Sequence, residues 1–199
     1  MVNNNDFIEL FEKRLCEFTG APYAVAVDCC TNAILLSVVA SNINSIITLP
    51  SNTYLSVPMT LINNGYDISF HDYKWNESYK VTHNIWDCAV GFKEGMYSVG
   101  QVQCLSFQQK KRLPIGKGGA ILTDDMELAK KLRRLRHDGR DSSIPVVDDD
   151  PKKITIGYHM YMSPDQAAKG ILLLNQIQEY KKSGWYDYPD ISKLPCFTP

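Results

Sequence analysis

The chain has 199 residues, 44% of them hydrophobic, and a formal net charge of −1. That length and composition suffice to bury one substantial core, and the near-neutral balance leaves no overall electrostatic footprint for nucleic acid. No apolar run approaches the roughly 18 residues of a membrane span, and Met1 to Asp6 show neither a basic region nor an apolar core. A soluble, cytoplasmic protein without a membrane segment is therefore expected.

In chain order, Asp6-Phe-Ile-Glu9 reads as a capping box, and Phe7, Ile8, Phe11, Leu15 and Phe18 recur at helical spacing, predicting a helix over 7–18 that Gly20 stops. Tyr23 to Val27 is a β-prone run, and Thr31 is positioned as N-cap of a helix over 32–40. Ile46 to Leu49 predicts a second strand, followed by a helix over 55–63 closed by Gly65. Further strands are expected at 68–70, 84–86, 102–105 and 120–122, with Asp124-Asp125 capping a helix to about His137. Strands alternating with helices argue for an α/β fold with a mostly parallel sheet flanked by helices.

The run Lys130-Lys131-Leu-Arg133-Arg134-Leu-Arg136-His137 has Leu128, Leu132 and Leu135 at helical spacing, which reads as a solvated charged face countered by Asp148-Asp149-Asp150 rather than as a phosphate-backbone binder. Residues 138–157 turn polar and predict a long loop. Ser163-Pro164 opens a last helix expected to reach about Lys182. The expected organisation is one domain over 1–184 and a short aromatic tail over 185–199, too short for a domain but able to dock onto one. The six cysteines form no pair of zinc knuckles, so no metal site is expected, and adjacent Cys29-Cys30 favours reduced thiols.

Two features carry chemistry. Cys104-Leu-Ser106-Phe107-Gln-Gln-Lys-Lys111 places a lysine between a short apolar strand and the glycine-rich Gly116-Lys-Gly118-Gly119. Ile85-Trp86-Asp87 ends another apolar run with a carboxylate. Together they supply a candidate Schiff-base amine and a candidate partner for a pyridinium nitrogen, the two groups that pyridoxal 5'-phosphate chemistry needs. Taken alone, Lys111 reads as a surface lysine of the Lys110-Lys111-Arg112 cluster, and Asp87 as a strand-end carboxylate.

These residues, with Trp86-Asp87-Cys88-Ala89, Cys30-Thr31-Asn32-Ala33 and Pro50-Ser-Asn-Thr53-Tyr54, resemble in order the motifs of the DegT-type sugar aminotransferases, fold-type-I pyridoxal-phosphate enzymes. The likeness runs from about residue 7 to about residue 178. It implies the large domain of that fold, without the small C-terminal domain and without a strand-and-helix unit between Asp72 and Ile85. It also implies a function: amination of a nucleotide-linked keto-sugar by a ping-pong route, with glutamate as the typical amino donor, in a homodimer.

By the same resemblance, Lys111 is the Schiff-base lysine and proton carrier, and Asp87 holds the ring nitrogen. Cys30, Thr31 and Ser106 lie at the phosphate, where Thr31 could equally be only a helix cap and Ser106 only a buried strand-end serine. Tyr54 covers the ring or is a core aromatic. His159 and Tyr161 stand where a neighbouring subunit would supply phosphate contacts, unless they are surface residues. Three positions depart from the family: Val90 replaces a polar residue, Lys117 an acidic one, and His159-Met160-Tyr161 an Asn-x-Arg. Those departures keep an accessory, non-catalytic homologue as the alternative; a dehydratase is disfavoured because such relatives replace the lysine with histidine.

Overall fold

The computed structural model describes residues 4–177 and 183–197. Seven strands and five α-helices follow one another as α1 (Asn4–Thr19), β1 (Tyr23–Val27), α2 (Cys30–Ala40), β2 (Ile47–Pro50), α3 (Ser56–Asn63), β3 (Ile68–His71), β4 (Tyr79–Thr82), β5 (Ile85–Asp87), β6 (Val102–Ser106), β7 (Gly119–Thr123), α4 (Met126–Leu135) and α5 (Pro164–Leu174). Five strands form one sheet in the order β1-β7-β6-β5-β4, and β2 and β3 pair separately.

The α/β class and the flanking helices are as expected, but the sheet is mixed rather than mostly parallel. β5 and β6 run parallel, as do β2 and β3, whereas β1/β7, β6/β7 and β4/β5 are antiparallel. Chain length explains two of the antiparallel pairs. Only His83 and Asn84 separate β4 from β5, too few residues for a parallel crossover. Residues 107–118 return β6 directly into β7 as a closed loop, with the Phe107 N–H donating to the Gly118 carbonyl and the Gly116 N–H to that of Phe107.

Alternation along the strands divides the core. Val25 and Val27 of β1 face a cluster with α2 and α4, while Ala24 and Ala26 face the opposite cluster with α1 and α5. In the second cluster Phe107 meets Phe11 edge-on at 5.5 Å and Phe92 at 5.7 Å. Burying one such ring contributes roughly 1.5–3 kcal/mol, and Phe107 thereby anchors the loop that carries Lys111.

Several local expectations are corrected. Asp6 lies in the first turn of α1, not ahead of it. α2 starts earlier than predicted, with Cys29 as N-cap accepting from the Asn32 N–H, so Thr31 sits inside the helix and its hydroxyl bonds Ser56 Oγ at 2.6 Å. α5 ends at Leu174; the predicted continuation over 178–182 lies outside the described residues. The basic helix face is partly internal: Arg136 is buried, and it and Arg133 both bond the buried Glu12 of α1. Arg134 pairs with Asp149 at 3.0 Å, so the acidic run does counter the basic one. That pair, with the Thr155 N–H donating to the Gly139 carbonyl, folds the base of the polar loop against its own chain.

After the undescribed residues the chain returns along the sheet edge. The Trp185 N–H donates to the Trp75 carbonyl, the Ile191 N–H to the Ser51 carbonyl, and Asn52 Nδ2 to the Tyr188 carbonyl. Ile191 is buried by this docking.

Candidate active site

The strand ends open into a cavity of about 420 Å³ lined by Cys30, Thr31, Tyr54, Asp87, Ser106 and Lys111, six of the seven candidate residues. Its geometry follows from the parallel pairing of β5 with β6. Asp87 is in register with Cys104, so both strands end on the same side of the sheet, and Ser106 projects two residues beyond. Gly118 and Gly119 close the arrangement. A Cβ on Gly119 would lie 2.5 Å from the Cys29 carbonyl carbon and 2.7 Å from the Cys30 nitrogen, and Gly118 has φ +146, so only glycine lets β7 run this close to the start of α2. The first-turn N–H groups of α2, which lack partners within a helix, are thus placed beside the lysine loop.

Asp87 is buried, and burial raises its carboxyl above the usual range although several bonds favour the charged form. Oδ1 accepts the Ala89 N–H at 2.9 Å and faces Cys30 Sγ at 3.9 Å; Oδ2 accepts the Tyr79 hydroxyl at 2.8 Å. The Tyr79 oxygen also lies 2.6 Å from Thr53 Oγ1, forming a buried chain from β4 to the carboxylate. Lys111 Nζ approaches Asp87 closely enough to favour its charge and donates to the Tyr188 hydroxyl at 3.3 Å. Burial and the Asp87 charge raise the Cys30 thiol well above its ordinary range, which keeps it neutral.

Tyr54 is exposed at the mouth and meets Tyr188 edge-on at 6.5 Å. Val90 lines the cavity without a polar group. Lys117, which replaces an acidic residue, pairs with Asp28 at 3.5 Å. His159 does not line this cavity. It bonds Asp138 at 3.0 Å and meets Tyr161 edge-on at 4.7 Å.

Sequence reasoning missed Tyr79, Trp75 and Tyr188, and it read Thr53 only as part of the Pro50-to-Tyr54 motif, without a role. Tyr79 belongs to β4, a strand that the sequence reading did not place; Tyr188 reaches the site only through the returning tail. The one signal in sequence was aromatic density, in Tyr73-Lys-Trp75 and Trp185-Tyr-Asp-Tyr188.

A strand-end cavity that combines a buried carboxylate, a lysine and a helix start is a candidate small-molecule site on an α/β scaffold. The chain belongs to the DegT/DnrJ/EryC1/StrS aminotransferase family, whose model matches residues 1–87 and 85–183. The two matched segments meet at β5, next to the short β4 connection.

Among curated proteins it is 27% identical over 232 residues to the spore coat polysaccharide biosynthesis protein SpsC of Bacillus subtilis, covering 88% of this chain and 58% of that one. A stretch of 106 residues is 33% identical to GDP-perosamine synthase of Caulobacter vibrioides, covering 49% and 26%. Among solved structures, the sugar aminotransferase CalS13 of Micromonospora echinospora superposes with a TM-score of 0.72 at 17% identity, over 85% of this chain and 61% of that one. An aminotransferase from Psychrobacter cryohalolentis gives 0.70 at 17%, over 86% and 56%. The chain thus spans a little over half the length of such relatives.

Proposed function

We propose that this chain binds pyridoxal 5'-phosphate in the cavity at the ends of β5 and β6 and acts as an aminotransferase on a nucleotide-linked keto-sugar, with glutamate as amino donor. The observation that carries the reading is the placement of Lys111 Nζ and the buried Asp87 carboxylate on one cavity with the start of α2. The donor set fits the group. A carboxylate held in an apolar site by Tyr79 and Ala89 suits a protonated ring nitrogen, because burial leaves its charge in need of a cationic partner. The α2 N-terminus with the Thr31 and Ser106 hydroxyls suits a phosphate.

When bound, the cofactor supplies an electron sink for a carbanion. Lys111 would hold its aldehyde carbon, and the same amine would carry a proton to and from the substrate carbon. Asp87 keeps the ring nitrogen protonated and oriented. Tyr54 covers the mouth of the cavity against water. An adjoining cavity lined by Lys110, Arg112 and Gln176 shares Tyr54, Val90, Gln108, Lys111 and Tyr188 with the first, which supports an anionic substrate entering there. That SpsC and GDP-perosamine synthase are named for polysaccharide biosynthesis and a GDP-linked sugar supports the substrate class.

His159 and Tyr161 are assigned to a partner subunit's phosphate site in a homodimer, a reading that rests on the likeness to the family and on the exposure of His159 outside its own chain's cavity, with the half-buried Tyr161 packed against it. The test of turnover is a half-reaction: protein loaded with pyridoxal 5'-phosphate is mixed with glutamate, and the cofactor is recovered as pyridoxamine 5'-phosphate. Recovery of unchanged cofactor rejects aminotransferase activity and leaves an accessory homologue.

A further inference from the structure

The sheet wall of the cavity lacks a donor where Val90 stands, and another residue is in position to replace it. Tyr188 arrives from the segment after Gly184 and is fixed at three points: its carbonyl accepts from Asn52 Nδ2 at 2.9 Å, its N–H donates to the Trp185 carbonyl, and its ring packs 5.6 Å from that of Trp75. Trp75 is itself held by its Nε1–H to the Asn52 carbonyl at 2.8 Å. This clamp points the phenol inward, where its oxygen lies 3.3 Å from Lys111 Nζ. In pyridoxal the ring oxygen is on the carbon next to the one that bears the aldehyde. A donor beside the amine that takes the aldehyde is therefore beside the ring oxygen also.

We propose that Tyr188 donates a hydrogen bond to the cofactor's ring oxygen in place of the residue that Val90 substitutes, which makes the returning tail part of the catalytic site. The inference rests on the functional reading above. Burial first, then the nearby Asp87 and Cys30, push the Tyr188 phenol up from its ordinary value, so the hydroxyl keeps its proton through the neutral range. Gln108 is the competing donor on the same cavity.

The test follows the visible absorbance of bound pyridoxal 5'-phosphate against pH in the full chain and in Tyr188→Phe, which retains the ring packing and removes only the hydroxyl. A donor favours negative charge on the ring oxygen most once the neighbouring nitrogen has lost its proton, so it lowers the titration midpoint. Tyr188→Phe is expected to raise that midpoint by about 1 pH unit, and Gln108→Leu to leave it in place. An unchanged midpoint in Tyr188→Phe, or a shift that follows Gln108→Leu instead, overturns the inference while the cofactor reading stands. Tighter cofactor uptake by Tyr188→Ala than by the parent also overturns it, identifying the tail as a plug. If the parent itself acquires no bound-cofactor absorbance, the functional reading falls, and this inference with it.

Discussion

One wall of the cavity consists of Asp87, Ser106, Cys30 and Thr31, set by strand ends and a helix start; a second group of lining residues, Trp75, Tyr79 and Tyr188, comes from the edge strand β4, its approach and the docked tail. The first wall is positioned by sheet register and by the close passage of Gly119 against Cys29 and Cys30, both main-chain constraints. In the second, Tyr79 is set by its register with Asp87, whereas Trp75 and Tyr188 are positioned by side-chain bonds and ring packing across longer stretches of chain. The groups proposed to carry the chemistry sit on the rigid wall, and the second group lies outside the motifs that were readable in sequence. The comparison yields a graded set of tests.

The largest effect is expected on the rigid wall. Asp87→Asn removes the charge that would keep the ring nitrogen protonated, and the rate of the half-reaction with glutamate should fall on the order of a hundredfold or more. Rapid mixing with glutamate measures this, and unchanged kinetics would remove Asp87 from the site. Gly119→Ala tests the wall's framework. The added methyl meets backbone rather than a movable side chain, so thermal unfolding should show a loss of about 1–3 kcal/mol.

In the second group, Tyr79→Phe strips a buried hydroxyl from both Thr53 and Asp87, at a cost of about 1–2 kcal/mol in the cofactor-free protein. Its pH dependence has a definite sign. Because burial raises the folded Asp87 pKa, its contribution favours folding at acid pH and is lost as pH rises through the folded value. Removing the Tyr79 bond raises that value further, so the variant's deficit should grow as pH rises above the ordinary carboxylate range. A deficit independent of pH would show that the bond does not act on the carboxylate. The smallest effect concerns His159 and Tyr161, which lie outside the cavity. His159→Ala with Tyr161→Ala should weaken cofactor affinity by about 1 kcal/mol in a protein that sediments as a dimer. A monomer that binds equally well contradicts their assignment to a partner.

What was legible in sequence follows the same division. β1, β6 and β7 are almost wholly buried, and their apolar runs were readable, as were Asp87 at the end of β5, Ser106 at the end of β6 and Lys111 in the loop that follows. Pairing direction was not: nothing in the Ile85-Trp86-Asp87 run announces that β4 folds back antiparallel onto it through a two-residue turn. The N-cap moved from Thr31 to Cys29 because a thiol accepts a hydrogen bond too weakly to be read as a cap. Tyr188 was invisible for a different reason. Its place depends on Asn52 and Trp75, contacts at long sequence separation that no local pattern encodes.

The most direct test of the central claim is borohydride reduction of the protein loaded with pyridoxal 5'-phosphate, followed by peptide mapping. The account predicts a pyridoxyl group on Lys111 and its loss in Lys111→Ala. A label on Lys110 or Lys117, or none at all, would contradict it.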